Sequence, residues 1–172
     1  MVDASISIME PVEAKVADAQ KLTAFFHQAW EEAGPTALGF TGATDETIRE
    51  IASEGFLEER LSNPKVKMYV VEDKGRIVGF AATRRVDENT IELSGIIVLE
   101  SATGKGIGTA LFEKVVLSAK QRGFGKIVVK TEVFNERATG FYKKMGLAET
   151  SRTTEKVEGK PIELMVLEKA LR

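Results

Sequence analysis

A glycine-rich segment, residues 103–109 (TGKGIGT), constrains this sequence more than any other feature. It follows the β-prone run 90–99 (TIELSGIIVL), and apolar residues recur at helical spacing from Ile107 onward. Glycines at a strand-to-helix turn leave backbone N–H groups free to point at an anion, and the positive end of the helix dipole also favours binding of an anion. The segment therefore predicts a phosphate-binding turn, to which Lys105 adds a formal cation.

The spacing of this segment excludes two common nucleotide-binding loops. A Walker loop needs a glycine five residues before its Gly-Lys pair and a serine or threonine after the lysine, but here those positions are Leu99 and Gly106. The Rossmann fingerprint needs a glycine where this chain has Thr109. A plain tight turn between a strand and a helix stays open as the alternative to a phosphate site.

The order of elements along the chain is β-α-α-β-β-β-α-β-α-β-β. The periodicity predicts an edge strand at 5–8, helices over 18–32 and 44–61, a hairpin of strands 68–72 and 76–83, a strand over 90–99, a helix over 107–122, a strand over 126–131, a helix over 135–145, and a last hairpin of strands 147–155 and 161–167. Strands with antiparallel connections flank a central strand–helix–strand crossover. We therefore expect a mixed sheet.

Composition narrows the class of protein. The chain of 172 residues is 43% hydrophobic and 29% charged, which predicts one globular domain over residues 1–172. It has no cysteine and a single histidine, His27, so thiolate metal sites, cysteine nucleophiles and His clusters are excluded. No run is long enough for a membrane span, no signal peptide is visible, and a net charge of −2 argues against general nucleic-acid binding. We expect a cytoplasmic protein without a metal.

Two motifs resemble those of the GNAT superfamily of acyl-CoA-dependent N-acetyltransferases. The glycine turn looks like its motif [Q/R]-x-x-G-x-[G/A], and residues 135–147 (NERATGFYKKMGL) resemble its segment N-x-x-A-x-x-F-Y-x-K-x-G-F. The resemblance implies an α/β (α+β) fold with a mixed, mostly antiparallel central sheet and helices on both faces, and acetyl-CoA as cofactor. One position departs from the family pattern, because Thr103 stands where the family has Gln or Arg. Cofactor binding would then depend more on Lys105 and the amides of the turn.

The resemblance also implies the residues of a cofactor site. Tyr142 matches the tyrosine that protonates the departing thiolate in similar enzymes, and a phenol of reference pKa about 10 stays protonated where a thiol, at about 8.5, ionises. Asn135 would contact the cofactor arm, although helix capping explains it equally well. The backbone of 96–98 would pair with the pantetheine arm and polarise the thioester. The implied cofactor contacts are Ile96, Ile97, Val98, Thr103, Gly104, Lys105, Gly106, Ile107, Gly108, Thr109, Asn135 and Tyr142.

The general base has three candidates. An ungapped alignment on the glycine turn places Glu92 at the catalytic glutamate of similar histone-acetylating enzymes. Glu100, at the end of the same strand, and a water molecule remain alternatives. Because the chain has no cysteine for an acyl-enzyme, direct attack of the amine in a ternary complex is the simpler expectation.

The distribution of charge suggests where the amine acceptor binds. Residues 1–60 hold 12 of the 26 acidic residues but only 4 of the 24 basic ones. We expect the acceptor to lie over this acidic third, near Trp30, Glu31 and Phe40, which would suit a small amine, a polyamine or a peptide amine. The expected function is N-acetyl transfer from acetyl-CoA. A non-catalytic acyl-CoA sensor on the same fold is the alternative, and a homodimer is common among similar proteins.

Overall fold

The computed structural model describes residues 9–34, 45–157 and 159–172, which form seven strands and five α-helices. The strands are β1 (Val12–Glu13), β2 (Val66–Asp73), β3 (Arg76–Arg85), β4 (Thr90–Val98), β5 (Lys126–Glu132), β6 (Ala148–Val157) and β7 (Lys160–Ala170). The helices are α1 (Ala19–Ala33), α2 (Asp45–Ile51), α3 (Glu54–Ser62), α4 (Ile107–Gln121) and α5 (Glu136–Lys144). The sheet order is β1-β2-β3-β4-β5-β7-β6. Within the described ranges only β4 and β5 pair in parallel, so the predicted mixed, mostly antiparallel sheet is confirmed.

Helices cover both faces of the sheet, as two neighbouring residues of β3 show. A Cβ added to Gly79 would lie 2.6 Å from Ile107 Cγ2, so α4 approaches this strand too closely for a side chain. Phe80 points to the opposite face, because successive residues of a strand alternate. Its ring centroid lies 5.0 Å from that of Phe26 on α1. The core therefore lies in two layers, and its fully buried side chains include Leu22, Leu57, Leu111, Ile127 and Leu167.

The prediction of one helix over 44–61 is wrong, because two helices occupy this stretch. Ser53 adopts an extended conformation (φ −75°, ψ 143°), and its Oγ accepts a hydrogen bond from the Phe56 N–H at 3.3 Å. A serine in this role begins a new helix, so α2 ends at Ile51 and α3 starts at Glu54. The apolar positions continue across the break, which is why the periodicity alone predicts one helix.

The N-terminal edge of the described sheet is the two-residue strand β1, which pairs with β2. The strand predicted at 5–8 and the loop predicted up to Gly42, including Phe40, lie outside the described residues. The other predicted strands and helices are found within a few residues of their expected ends. No helix in the described ranges is long and apolar enough to span a membrane.

Candidate active site

The two parallel strands at the centre of the sheet separate part-way along their length. Their paired residues run from Thr90 with Lys126 to Leu93 with Val129 and then stop. Ser94 is a bulge at this point, because on β3 Thr83 faces Leu93 while the preceding residue already faces Gly95. The rest of β4 keeps its hydrogen bonds to β3, but its other edge faces a gap.

A cavity of about 750 Å³ fills this gap, within the range of small-molecule sites. The glycine turn and the end of β4 form one wall, and residues of α5 form another. Side chains of α1, α2 and β3 close the opposite end, together with residues of β5 and β6. The gap therefore joins the predicted phosphate-binding turn to a larger pocket.

Two glycines give the turn its shape. Gly104 (φ 79°) and Gly106 (φ 77°) both have left-handed backbone conformations, and Gly106 is the N-cap residue of α4. The first N–H groups of a helix have no partner within it, so the turn offers backbone donors beside the cavity. Thr103 contributes less than its hydroxyl suggests, because Oγ1 donates a hydrogen bond to the Glu100 main-chain oxygen at 2.8 Å.

Eleven of the twelve predicted cofactor contacts line the cavity. The exception is Lys105, which is exposed and does not line it. Asn135 lines the cavity and also caps α5, because its Oδ1 accepts a hydrogen bond from the Ala138 N–H at 3.1 Å. The capping role therefore occupies the oxygen and leaves the amide nitrogen for a ligand.

Tyr142 is a nearly buried phenol on the cavity wall, with 6% of its surface exposed. Its ring packs edge-on against Phe141 at a centroid distance of 5.5 Å. No described residue shares a hydrogen bond with its hydroxyl. Burial raises the pKa of Tyr142 to about 12, because ionisation would leave a poorly solvated phenolate. The group therefore remains a hydrogen-bond donor at any ordinary working pH.

The two candidate base residues lie in different places. Glu100 lines the cavity, and its Oε1 is 3.0 Å from Arg137 Nη1. Glu92 is half-buried before the bulge in β4, and its Oε1 lies 3.3 Å from Arg84 Nη2. It is not among the residues that line the cavity, so a proton could reach it from a bound acceptor only through an intervening water.

The wall contributed by α1 differs from the predicted acceptor site. Phe26, Ala29 and Ala33 line the cavity, because their spacing puts them on one face of the helix. Trp30 is half-buried and Glu31 is exposed, and neither lines the cavity. The structure thus does not bring these two predicted residues to the pocket.

Sequence reasoning missed several residues at the far end of the cavity. They are Phe26, Phe80, Lys130, Thr131 and Val157, and Arg137 on the wall formed by α5 was missed as well. The sequence carries a signal for one of them, because Lys130 is a charged residue inside the otherwise buried-looking run 126–132 (KIVVKTE). A charged residue within such a strand indicates that the face of the sheet to which it points is not covered there.

Comparison with known proteins decides the family. The sequence profile of the Acetyltransferase (GNAT) family matches residues 22–147. The chain belongs to the GNAT family of acetyltransferases. An uncharacterized N-acetyltransferase of Mycobacterium bovis is 30% identical over 129 residues, which cover 75% of this chain and 82% of the relative.

Solved structures of GNAT proteins share this fold. PaiA N-acetyltransferase from Thermoplasma acidophilum, solved with coenzyme A, superposes with a TM-score of 0.70 at 19% identity, covering 94% of this chain and 98% of its own. YncA from Salmonella typhimurium, solved with acetyl-CoA, superposes with a TM-score of 0.67 at 21% identity, covering 94% of this chain and 93% of its own. Family and fold together confirm the expected class, an acyl-CoA-dependent N-acetyltransferase that uses acetyl-CoA.

Proposed function

We propose that this GNAT acetyltransferase transfers an acetyl group from acetyl-CoA to a primary amine by direct attack within a ternary complex. The observation that carries the proposal is one cavity lined by the glycine turn, the unpaired end of β4 and Tyr142. These are the three parts that such a reaction needs for phosphate binding, thioester orientation and stabilisation of the leaving thiolate.

The proposed cofactor site is the gap between β4 and β5. The amides of residues 104–109 would bind the pyrophosphate at the start of α4, and the free edge of β4 at 96–98 would pair with the amides of the pantetheine arm. Two proteins of this fold are solved with coenzyme A and acetyl-CoA, which supports the same occupant here. Acetyl-CoA supplies the activated acetyl group.

The direction of the cofactor separates the two candidate bases. The phosphates bind after the C-terminal end of β4, so the arm runs back along this strand toward the bulge at Ser94. From Val98 to Ser94 the strand spans about 13 Å, at about 3.3 Å per residue. The reacting carbonyl would therefore lie near the bulge, two residues from Glu92, whereas Glu100 stays at the phosphate end. We propose Glu92 as the base, acting through a water.

The chemistry follows from these positions. Glu92 takes one proton from the ammonium through the water, the amine nitrogen forms the new bond to the acetyl carbon, and the C–S bond breaks with its electron pair going to sulfur. The nitrogen loses a second proton as the amide forms, and this proton neutralises the thiolate, so that the products are the amide and the free thiol. Tyr142 donates a hydrogen bond to the departing sulfur. Since the pKa of Tyr142 is about 12 and that of a thiol is about 8.5, complete transfer of the phenol proton is unfavourable. The phenol therefore stabilises the thiolate by sharing its proton in the transition state.

A calorimetric titration with acetyl-CoA, with NADH as the control ligand, tests this proposal. We expect binding of acetyl-CoA alone, followed by release of free thiol when an amine acceptor is added. Binding without thiol release from any amine would favour the acyl-CoA sensor. Absence of acetyl-CoA binding would overturn the proposed function.

A further inference from the structure

At the acceptor end of the cavity, the described walls from α1, α2 and β3 are apolar. These elements contribute Phe26, Ala29, Ala33, Ile51, Phe80 and Ala82, whereas the polar residues here are Ser94 on β4 and Lys130 and Thr131 on β5. The rings of Phe26 and Phe80 pack edge-on and hold each other in place. An acceptor that fills this space needs an apolar body, because a polar one would lose its hydration without gaining partners.

Among the described residues of the N-terminal third, no carboxylate lines this space. Glu31 is exposed, and Glu32 accepts hydrogen bonds from Gln28 Nε2 at 3.2 Å and from Ser101 Oγ at 3.1 Å. Neither carboxylate lines the cavity. The acidic residues described in this third therefore do not form a binding site for a polycation in the cavity.

One cation lies at this end of the described cavity wall. Lys130 lines it from β5, one residue beyond the point where the parallel pairing stops. One of its N–H donors is used by Glu155 on β6, with 2.8 Å between Lys130 Nζ and Glu155 Oε1. The described residues form no other hydrogen bond with this ammonium, so two donors remain for a ligand. Glu92 and Arg84 are also near enough to act on Lys130 through their charges.

We infer that the acceptor is a primary amine on an apolar body that also carries a carboxylate, such as an apolar amino acid, and that Lys130 binds this carboxylate. The inference rests on the proposed function and names its substrate class. Lys130 is thus a specificity-determining residue. It repels the additional positive charges of a polyamine and forms a charge-assisted hydrogen bond with an acceptor carboxylate.

The position of Lys130 agrees with the direction of the reaction. It follows Val129, the last residue of β5 that pairs with β4, and thus lies beside the bulge where the acetyl carbon is expected. An amine and a carboxylate on one small molecule can then reach the acetyl group and Lys130 together. The carboxylate takes no part in the bond changes, and the products are the N-acetyl amino acid and the free thiol.

The test compares L-phenylalanine with 2-phenylethylamine, which lacks only the carboxylate, and with spermidine. We expect kcat/KM to be highest for L-phenylalanine, and Lys130→Gln to lower that value about tenfold, the loss of one charged hydrogen bond. The same variant should lower kcat/KM for 2-phenylethylamine much less, because this amine makes no such bond. Any effect of the lost charge on Glu92 acts on both amines and therefore cancels in the ratio of the two kcat/KM values.

Lys126→Gln is the matched control. Lys126 lies on the same strand, forms a comparable ion pair with Glu168 at 3.5 Å and has a similar exposure (39% against 38%), but it does not line the cavity. Lys126→Gln should leave kcat/KM unchanged for all three acceptors. Glu155→Gln provides a change of opposite sign, because it removes the carboxylate that competes for Lys130 and should lower the KM for L-phenylalanine.

The outcomes separate the two levels of the argument. Equal or better use of spermidine or 2-phenylethylamine, no acetylation of L-phenylalanine, or an equal effect of Lys126→Gln overturns the inference while acetyl-CoA binding by calorimetry stays intact. Loss of acetyl-CoA binding in the unaltered protein overturns the proposed function and the inference with it. A fall in kcat/KM for L-phenylalanine that is selective for Lys130→Gln, together with a lower KM in Glu155→Gln, supports the proposed function and the inference.

Discussion

Arg137 Nη1 lies 3.0 Å from Glu100 Oε1, which joins the start of α5 to the segment that follows β4. The main-chain oxygen of the same Glu100 accepts hydrogen bonds from both the N–H and the hydroxyl of Thr103. Arg137 is thereby tied to the glycine turn and lines the cavity, which Lys105 does not. It is positioned to supply the long cationic donor that Thr103 lacks.

We therefore expect Arg137→Gln to weaken acetyl-CoA binding about fivefold at low ionic strength, and less at high salt because the pair is exposed. The free energy of unfolding should change by less than about 1 kcal/mol. Calorimetry at two salt concentrations measures the effect, and Lys143→Gln, on the same helix but outside the cavity lining, is the control. An unchanged Kd at low salt would show that Arg137 does not face the phosphates.

Gly106→Glu should abolish acetyl-CoA binding while the protein stays folded. The new side chain would place a carboxylate at the N-terminus of α4, where the phosphates are expected, and repel them. The substitution also costs about 1–2 kcal/mol, because φ is 77° at this position. Gly123→Glu carries the same kind of strain (φ 86°), and at both glycines the space around a new Cβ is open. Since Gly123 follows α4 at its far end, this control should lose similar stability and keep its affinity.

Tyr142→Phe should lower kcat by about 100-fold, in the range of general acid–base groups, and leave the Kd of acetyl-CoA within twofold. The ring fills the same space, so only the hydrogen bond to the leaving sulfur is lost. Steady-state kinetics and calorimetry on the same preparation separate the two quantities. Tyr69→Phe, which removes a hydroxyl 2.6 Å from Ser118 Oγ outside the cavity, should leave kcat unchanged. Equal rates for Tyr142→Phe and the unaltered enzyme would exclude this role.

The pKa of Tyr142 can be read directly, because the chain has only one other tyrosine. In Tyr69→Phe, the absorbance of phenolate reports Tyr142 alone, and we expect a midpoint near 12 in the folded protein and near 10 in urea. Because the folded-state pKa is the higher one, this group's contribution to stability is complete below pH 10. It falls by at most about 3 kcal/mol as the pH rises to 12. Tyr142→Phe should lack this part of the loss of stability at alkaline pH. A folded-state midpoint near 10 would show that burial does not raise the pKa of Tyr142.

The sequence predicts the framework of this site because local patterns determine it. The glycine turn, the capping Asn135 and the strands on either side each depend on a few neighbouring residues. The break at Ser53 is harder to predict, since one hydrogen bond decides between a new helix and a continued one. The bulge at Ser94 is harder still, because a register shift depends on the partner strand β3.

The acceptor pocket could not be predicted for the same reason. Its shape depends on where β4 and β5 separate, and that point places Lys130 on a cavity wall. The apolar face of α1 serves both the core and the pocket, so periodicity does not distinguish Phe26 from a core residue. Counting charges along the chain suggests Glu31, but the direction of each side chain follows from the helix rotation and not from the count.

Glu92→Gln tests the remaining assignment, that of the base. The amide keeps the size of the side chain but accepts no proton, so we expect kcat to fall about 100-fold with an unchanged Kd for acetyl-CoA. The lost carboxylate also leaves Arg84 without its partner at 3.3 Å, which by itself should cost less than about 1 kcal/mol of stability because Arg84 is exposed.

Glu72→Gln is the control for that loss. Glu72 is a half-buried strand carboxylate paired with Lys21 at 3.1 Å, and it does not line the cavity. It should reproduce the small change in stability without the fall in kcat. If Glu92→Gln instead turns over at the rate of Glu72→Gln, the proton leaves through water without a carboxylate on β4. Glu100 could not replace Glu92 as the base, because it lies at the phosphate end of the cavity. The bulge at Ser94 would then contribute to catalysis only by orienting the thioester.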